Sequence, residues 1–316
     1  VTAESLIQAA RAIAEEIRER AINGGDGSMT WILPAFLRQE GRSDRGVSYY
    51  LYHGVSGVAL FLSAMGRVSG ERSWGGLAAG ACRPIASALD RDRTEELLRF
   101  EGIGACSGLG GVVYALACIA KLLEDDWFVE LALRVASHIT VERIEADTRF
   151  DVEGGSAGAA LGLLALHQQV GQDWLLERAA ACGEHLVATQ VSAAGGGAAW
   201  PGYQGQMLAG FAHGAAGIAC ALAKLHQATE RGAFREAARR AHLFERTVYS
   251  PPERNWPVLV RDEKGGAKRV IMNAWCHGAP GIALARAVAL SAMHDEESAA
   301  DLDLALAATM KVGFLE

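Results

Sequence analysis

Two kinds of apolar pattern alternate along the chain. In the first kind, a Gly-x-x-Gly element opens a run of about ten residues that carries almost no charge, as in HGAAGIACAL at 213–222. A helix that is apolar all round is typical of a buried position. In the second kind, apolar residues recur at i, i+3, i+4 and i+7 while Arg and Glu fill the other face, as in FREAARRAHLFERTV at 234–248. This period predicts helices with one face in water.

The Gly-x-x-Gly element recurs five times. It occurs at 53–62, 107–116, 154–163, 213–222 and 277–286, with its first glycine at 54, 108, 155, 214 and 278. Self-similarity at a fixed period is the signature of a repeat architecture. The spacing predicts buried helices over 54–66, 108–120, 155–167, 214–226 and 278–290. Half-exposed helices are predicted over 8–20, 125–139, 173–187, 234–248 and 295–310.

The alternation of exposed and buried helices predicts an all-α fold, a double-layered α/α toroid in a single domain spanning residues 1–316. Strand-like alternation is confined to short pieces such as NWPVLVRD at 255–262. Glycine at the start of each inner helix allows close approach of neighbouring backbone. The N-termini of the inner helices then meet at one rim of the ring, where unpaired N–H groups and positive dipole ends favour chemistry.

Composition narrows the class of protein. Half of the 316 residues are hydrophobic, which excludes a disordered chain and suffices for a large core. The net charge of −7 argues against a nucleic-acid partner. No apolar run is long enough to predict a membrane span, and the amphipathic start is not a signal peptide. The six cysteines include no Cys-x-x-Cys pair, so we expect reduced thiols and a cytoplasmic protein.

Alignment of the five repeats on their glycines places chemically capable residues at equivalent rim positions. Directly before the first glycine stand His53, Ser107, Gly154, His213 and His277. One position further back stand Tyr52, Cys106, Glu153, Ala212 and Cys276, and Asp151 lies at the same mouth.

Each rim candidate has a simpler alternative. Ser107 and Asp151 have the residue types of helix N-caps. His53 fits a hydrogen-bonding role without catalysis. The adjacent Cys276 and His277 suit a metal site, but zinc takes three or four ligands. The histidines at 167, 226 and 242 fall near helix ends or on outer helices, so we expect them to be solvated or satisfied locally.

Taken together, the motifs resemble the lanthionine synthetase C (LanC) fold from about residue 10 to 316. The motifs are LYHGVSGVALFL, SGLGGVVYAL, DVEGGSAGAALGLLAL, GFAHGAAGIACAL and WCHGAPGIALAR. With GGDGS at 24–28 and ERTVYSPPERNWP at 245–257, their wording is most similar to the cyclase half of class II (LanM-type) lanthipeptide synthetases.

The resemblance implies a zinc-dependent enzyme that closes (methyl)lanthionine rings in a dehydrated precursor peptide carrying a leader. Peptide cysteine thiolates would add to dehydroalanine or dehydrobutyrine. The resemblance also implies an N-terminal dehydratase domain as partner. The present chain is then expected to be a C-terminal piece of a longer bifunctional synthetase, incomplete at its own C-terminus.

The resemblance also assigns site residues. His213 corresponds to the family's acid/base histidine and Asp151 to its acidic partner. Cys276 corresponds to one zinc ligand, and the remaining Cys-His ligand pair is expected beyond Glu316. His53 departs from the family pattern and His277 falls where the family varies, so both stay unassigned.

Three other functions remain open from the residues. Glycoside hydrolases share the α/α barrel, but they need two opposed carboxylates, which neighbours such as Asp151 and Glu153 do not supply. A zinc prenyltransferase also activates a thiol, without the WCHG pattern. A LanC-like peptide-binding module without metal is the non-enzymatic alternative.

Overall fold

The computed structural model describes residues 2–32, 47–90, 102–202, 205–261 and 267–313. The described residues form twelve α-helices and three short antiparallel strand pairs. The helices are α1 (Ala3–Glu19), α2 (Val55–Ser69), α3 (Arg72–Asp90), α4 (Leu109–Leu123), α5 (Asp126–Ser137), α6 (Val141–Glu145), α7 (Ser156–Val170), α8 (Asp173–Thr189), α9 (Ala215–Thr229), α10 (Gly232–Val248), α11 (Ala279–Met293) and α12 (Glu297–Val312).

The helices form the two layers of an α/α toroid, as the alternating pattern predicts. Each inner helix packs on the outer helix that follows it, which gives the hairpins α2–α3, α4–α5, α7–α8, α9–α10 and α11–α12. The inner helices also pack on one another in chain order, from α2 to α4, α7, α9 and α11. All five predicted buried segments are inner helices. Tyr114, Leu284 and Ala287 are the exposed exceptions within these segments.

One outer helix is not predicted by the sequence pattern. The segment RSWGGLAAGACRPIASALD forms α3, although it contains Pro84 and several glycines and lacks the charged face of the other outer helices. Its Trp74 and Ile85 are fully buried against the core. The apolar contacts of this helix therefore override its poor helix propensity.

The repeated glycines are explained by the loops that precede the inner helices. The first glycine of each element is the N-cap of its helix. At the second glycine, a Cβ would lie about 2 Å from a backbone atom of the loop, as between Gly217 and the Phe211 carbonyl oxygen at 1.9 Å. The same contact, to the carbonyl oxygen six residues upstream, recurs at Gly57, Gly111, Gly158 and Gly281. The close approach is therefore made mainly by the helix's own loop.

A string of main-chain hydrogen bonds joins these loops around the mouth of the ring. The residue two positions before the first glycine donates its N–H to the carbonyl of the equivalent residue in the next repeat. The donor–acceptor pairs are Tyr52 to Cys106 (3.3 Å), Cys106 to Glu153 (2.9 Å), Glu153 to Ala212 (3.0 Å) and Ala212 to Cys276 (3.2 Å). We call this string the rim chain. It fixes equivalent positions of all five repeats at one mouth.

The strand pairs are small additions to the helical layers. They are β1 (Ile22–Asn23) with β2 (Met29–Thr30), β3 (Val191–Ser192) with β4 (Ala198–Ala199), and β5 (Val258–Arg261) with β6 (Ala267–Val270). The third pair, with Val258 opposite Val270, contains the strand expected within 255–262. Among the described helices, none is long and apolar enough to cross a membrane. The six cysteines are free thiols, as expected.

Candidate functional site

The mouth of the ring contains a histidine–carboxylate pair. Asp151 lies in the loop before α7 and His213 in the loop before α9, and the Asp151 Oδ2 to His213 Nδ1 distance is 3.0 Å. Asp151 is almost completely buried and its Oδ1 accepts the Gly154 N–H at 2.8 Å. The hydrogen bond from Asp151 raises the pKa of His213, and burial of the ring opposes that increase. The two residues that the sequence singles out therefore meet.

Asp151 does not act as the helix N-cap of the simpler alternative. The N-cap of α7 is Gly155, and the first N–H of the helix, from Ser156, is accepted by Asp147 Oδ2 at 2.7 Å. Ser107 is not a cap either, because α4 has Gly108 in that position. The Ser107 hydroxyl is buried and has no hydrogen-bond partner among the described residues.

The loop before α11 brings Cys276 and His277 beside the pair. The Cys276 carbonyl accepts the N–H groups of both Phe211 and Ala212 at 3.2 Å. The His277 ring lies 5.8 Å from the His213 ring, centroid to centroid. Burial lowers the pKa of His277, and the neighbouring His213 lowers it further. His277 Nδ1 is buried without a hydrogen-bond partner in the described structure. His213, His277 and Cys276 thus share one side of the mouth.

Two further rim residues belong to this site although the sequence interpretation gave them no role. Cys106 lies near Glu153, Asp151 and Cys276, and burial followed by these neighbours raises the pKa of its thiol to about 11. The Glu153 carboxylate lies within 4.8 Å of the ligand atoms of Asp151 and His213. Their equivalent positions in the repeat alignment were the signal that could have identified them.

The remaining histidines lie outside this cluster. His53 is exposed in the first rim loop, with its ring 6.2 Å from that of Tyr50 and 6.4 Å from that of Tyr52. His167 and His226 each hydrogen-bond a nearby backbone carbonyl, as expected. His242 contradicts the expectation of a solvated or locally satisfied histidine. It is fully buried, its Nε2 has no partner in the described structure, and its contacts come from Asp295 and Ser298 on the next hairpin.

The donor atoms at the mouth do not by themselves make a zinc centre. Structural zinc sites are tetrahedral and use cysteine sulfur and imidazole nitrogen, and catalytic sites have three protein ligands, which include a carboxylate in some enzymes. The described group that could hold an ion is Asp151, Glu153 and His213, which is mainly an oxygen set. Cys276 is the one described residue that corresponds to a family zinc ligand. We therefore derive no catalytic step through a metal.

Comparison with known proteins defines the class. Residues 46–316 match a family model described as lanthionine synthetase C-like protein. The matched residues include the five Gly-x-x-Gly elements and the mouth residues Asp151, His213 and Cys276. The chain belongs to the lanthionine synthetase C-like family.

Solved structures of two known proteins match this chain. A structure of nisin cyclase matches with a TM-score of 0.61 and 16% sequence identity, over 98% of this chain and 76% of that one. A family 76 glycoside hydrolase from a bovine Bacteroides thetaiotaomicron strain matches with a TM-score of 0.43 and 11% identity, over 95% and 67% of the two chains. A search of curated proteins found no match. The similarity to nisin cyclase supports the fold.

Proposed function

We propose that this protein is a lanthipeptide cyclase, which closes (methyl)lanthionine thioether rings in a dehydrated precursor peptide. The observation that carries the proposal is the Asp151–His213 hydrogen bond at the mouth, directly beside the loop of Cys276. Family membership supports the same reaction class. The catalytic roles of His213 and Asp151 are part of the proposal.

The reaction is the addition of a peptide cysteine sulfur to the β-carbon of dehydroalanine or dehydrobutyrine. The S–H proton leaves, a C–S bond forms, and the resulting enolate takes a proton at its α-carbon, so the overall step neither consumes nor releases a proton. His213 supplies the α-carbon proton through Nε2, because Asp151 holds Nδ1. General acid catalysis of this kind contributes about 10² to 10⁴ in rate.

Asp151 has two effects on the histidine. It fixes the ring orientation, and its hydrogen bond raises the pKa of His213, which favours the protonated imidazole that general acid catalysis needs. When the enolate has been protonated, the proton lost by the next thiol restores the imidazolium.

Zinc is proposed as the cofactor on the basis of family membership, with Cys276 as one ligand. Bound zinc would convert the peptide thiol into a thiolate, since a coordinated thiol is deprotonated outright.

The second part of the proposal is the biological setting. The motif wording supports a LanM-type synthetase of the cytoplasm, in which a dehydratase domain prepares the leader-bearing peptide.

Ring closure in a defined peptide tests the proposed function. A peptide with one cysteine and one dehydroalanine keeps its mass on cyclisation but loses its alkylatable thiol, so thiol alkylation and mass spectrometry measure the rate. We expect His213→Asn to lower that rate by about two orders of magnitude. His226→Asn, near the far end of the inner helix α9 that follows His213, is the matched control. Measured in the intact, zinc-loaded protein, equal rates for wild type and His213→Asn would remove His213 from the mechanism, and an inactive wild type would remove the cyclase assignment.

A further inference from the structure

The carboxylate of Asp147 binds both ends of the loop that carries Asp151. At the beginning of the loop it accepts the N–H groups of Arg149 at 2.9 Å and Phe150 at 3.2 Å. At the end of the loop it accepts the N–H and the hydroxyl of Ser156, the first residue of α7, at 2.7 and 2.6 Å. Asp151 lies between these donors in the chain, so one carboxylate closes the loop on both sides of it.

A carboxylate in this position distinguishes the third repeat from the other four. In three other repeats the first N–H of the inner helix donates to a main-chain carbonyl or an amide oxygen, from Val55 to Ser48, Ala215 to Leu208 and Ala279 to Asn255. The position of Asp147, eight residues before the first glycine, is occupied in the other repeats by Gly46, Phe100, Gln206 and Val270. The closing carboxylate is therefore specific to the loop that carries Asp151.

The residue directly before Asp151 has a strained backbone. Phe150 has a φ of 65°, in the left-handed region that bulky residues rarely adopt. Such a conformation persists only where the surrounding structure fixes it. Asp147 fixes the Phe150 N–H, and His185 of α8 donates from Nε2 to the Asp147 carbonyl at 2.8 Å. The His185 ring also lies 5.6 Å from the Phe150 ring, centroid to centroid. These contacts determine the direction in which the chain enters Asp151.

The Asp151 side chain takes its position from this loop. The Asp151 N–H donates to the Arg149 carbonyl at 2.8 Å. Its Oδ1 accepts the Gly154 N–H at 2.8 Å, while its Oδ2 lies 3.0 Å from Nδ1 of His213. Both backbone contacts belong to the loop that Asp147 closes. The distance between the Asp151 carboxylate and His213 therefore depends on the conformation of that loop.

We propose that Asp147 is a positioning residue, which holds the loop of Asp151 so that the Asp151 carboxylate meets His213. Without the hydrogen bonds to Asp147, the backbone at Phe150 relaxes and Asp151 moves away from the histidine. Stabilisation of the N-terminus of α7 by a negative charge is the alternative role, and it would affect stability without affecting the rate. The consequence for ring closure rests on the proposed function, whereas the consequence for the loop does not.

Amide hydrogen exchange tests the effect on the loop. In Asp147→Asn an amide nitrogen, which accepts no hydrogen bond, replaces one carboxylate oxygen at nearly constant shape. We expect at least tenfold faster exchange of the Asp151 and Gly154 amides, which donate to groups other than Asp147. Asp125→Asn is the matched control, because Asp125 is the N-cap of the outer helix α5 and accepts the Trp127 N–H at 3.0 Å. It should leave exchange at 151 and 154 unchanged.

A second variant keeps the test available if Asp147→Asn does not fold. Ser156→Ala removes only the hydroxyl that donates to Asp147 at 2.6 Å. We expect a smaller acceleration of exchange at the same two amides. Wild-type exchange at 151 and 154 in folded Asp147→Asn, or in Ser156→Ala where the first variant does not fold, overturns the proposal.

Turnover of the dehydrated peptide by the intact, zinc-loaded protein tests the effect on catalysis. Misplacement of reacting groups by about 1 Å costs about 10²-fold in rate, so we expect Asp147→Asn to lower kcat about 10- to 100-fold, with KM changed less. Asp125→Asn should keep the wild-type kcat. Because Asp147 acts through Asp151, Asp147→Asn should cause no further decrease in an Asp151→Asn background.

Two kinetic outcomes would contradict the positioning role. One is a wild-type kcat in Asp147→Asn, and the other is an equal fold-decrease in the wild-type and Asp151→Asn backgrounds, which would mean that the two residues act independently. Inactive wild type would instead count against the cyclase assignment, and the exchange result would still decide the role of Asp147.

Discussion

At the scale of single residues, one hydrogen bond defines the candidate site. Asp151 and His213 are 62 residues apart in the chain and meet at 3.0 Å because their loops belong to neighbouring repeats of the ring. Cys106 and Glu153 enter the same cluster through equivalent positions of their own repeats. Local sequence identifies each loop as part of the rim. Only the arrangement of the repeats in a ring brings the side chains of these loops together.

Zinc affinity provides a test of the ligand assignment. Residues 1–316 contain one thiolate that corresponds to a family ligand, Cys276, and a tetrahedral site cannot be built on one thiolate. We expect these 316 residues to retain less than one equivalent of zinc after dialysis, measured by elemental analysis. One tightly held zinc per chain would contradict the assignment, and Cys106→Ser would then show whether the neighbouring thiol is a ligand.

Acid stability depends on the buried His242. Burial, followed by the charge of Arg286, lowers the pKa of His242 to about 4, although Asp295 opposes the decrease. In the unfolded chain a histidine has a pKa near 6.5. Between these values the unfolded state binds more protons, so the free energy of unfolding decreases as the pH falls from about 6.5 to 4. The loss attributable to His242 is about 3 kcal/mol at most.

The variant His242→Gln should flatten that part of the pH profile. Urea unfolding at pH 7 and pH 4.5 measures the difference for wild type, for His242→Gln and for the half-buried control His226→Gln. A wild-type profile that equals the His242→Gln profile over this interval would show that His242 does not titrate with a lowered pKa.

At the scale of elements, the helix–loop junction is the unit that repeats. Each inner helix starts under its own loop, and the carbonyl oxygen six residues upstream of the second glycine occupies the space that a Cβ would need. This contact holds the loop down on the first turn of the helix. It also explains why the sequence pattern, which uses the glycine spacing, locates all five inner helices.

Two glycine substitutions of opposite expected sign test this junction. In Gly217→Ala the new Cβ would lie 1.9 Å from the Phe211 carbonyl oxygen, so we expect a loss of about 1–3 kcal/mol in the free energy of unfolding. Gly76 in α3 has no atom within 4 Å of its Cβ position, so Gly76→Ala should gain about 0.5–1 kcal/mol. Denaturant unfolding measures both. Equal effects of the two substitutions would refute the contact.

At the scale of the whole molecule, the mouth connects the first repeat to the fifth. The rim chain runs from Tyr52 to Cys276 through every repeat. The Tyr52 ring then lies 6.0 Å from the ring of Trp275, which brings the two ends of the rim chain together. The Phe211 ring also lies against Trp275, with the two ring centroids 6.4 Å apart. Aromatic contacts therefore stabilise the mouth in addition to the backbone hydrogen bonds of the rim chain.

A double-mutant cycle measures this aromatic contact across the ring. Aromatic pairs contribute about 0.5–1.5 kcal/mol beyond area burial, and we expect the lower end for these partly exposed rings. Tyr52→Ala and Trp275→Ala should show coupling of about 0.5 kcal/mol in the free energy of unfolding. Tyr114→Ala with Trp275→Ala is the uncoupled control. Zero coupling between Tyr52 and Trp275 would mean that the rings do not connect the first and fifth rim loops.

The sequence by itself determined the inner helices, the rim and the candidate residues Asp151, His213 and Cys276. Helical period and glycine spacing are local properties, and the repeat makes equivalent positions recognisable. The LanC resemblance added the roles of these residues.

The tertiary structure alone decided which of the rim side chains meet and which charged residues are buried. The amphipathic pattern of 234–248 assigns Glu245 and His242 to a charged outer helix, yet both are buried. Their partners, Arg286 and Asp295, come from the next repeat, 41 and 53 residues away. A helical period specifies which face of α10 carries a charge, but only packing against α11 and α12 determines whether that face reaches water.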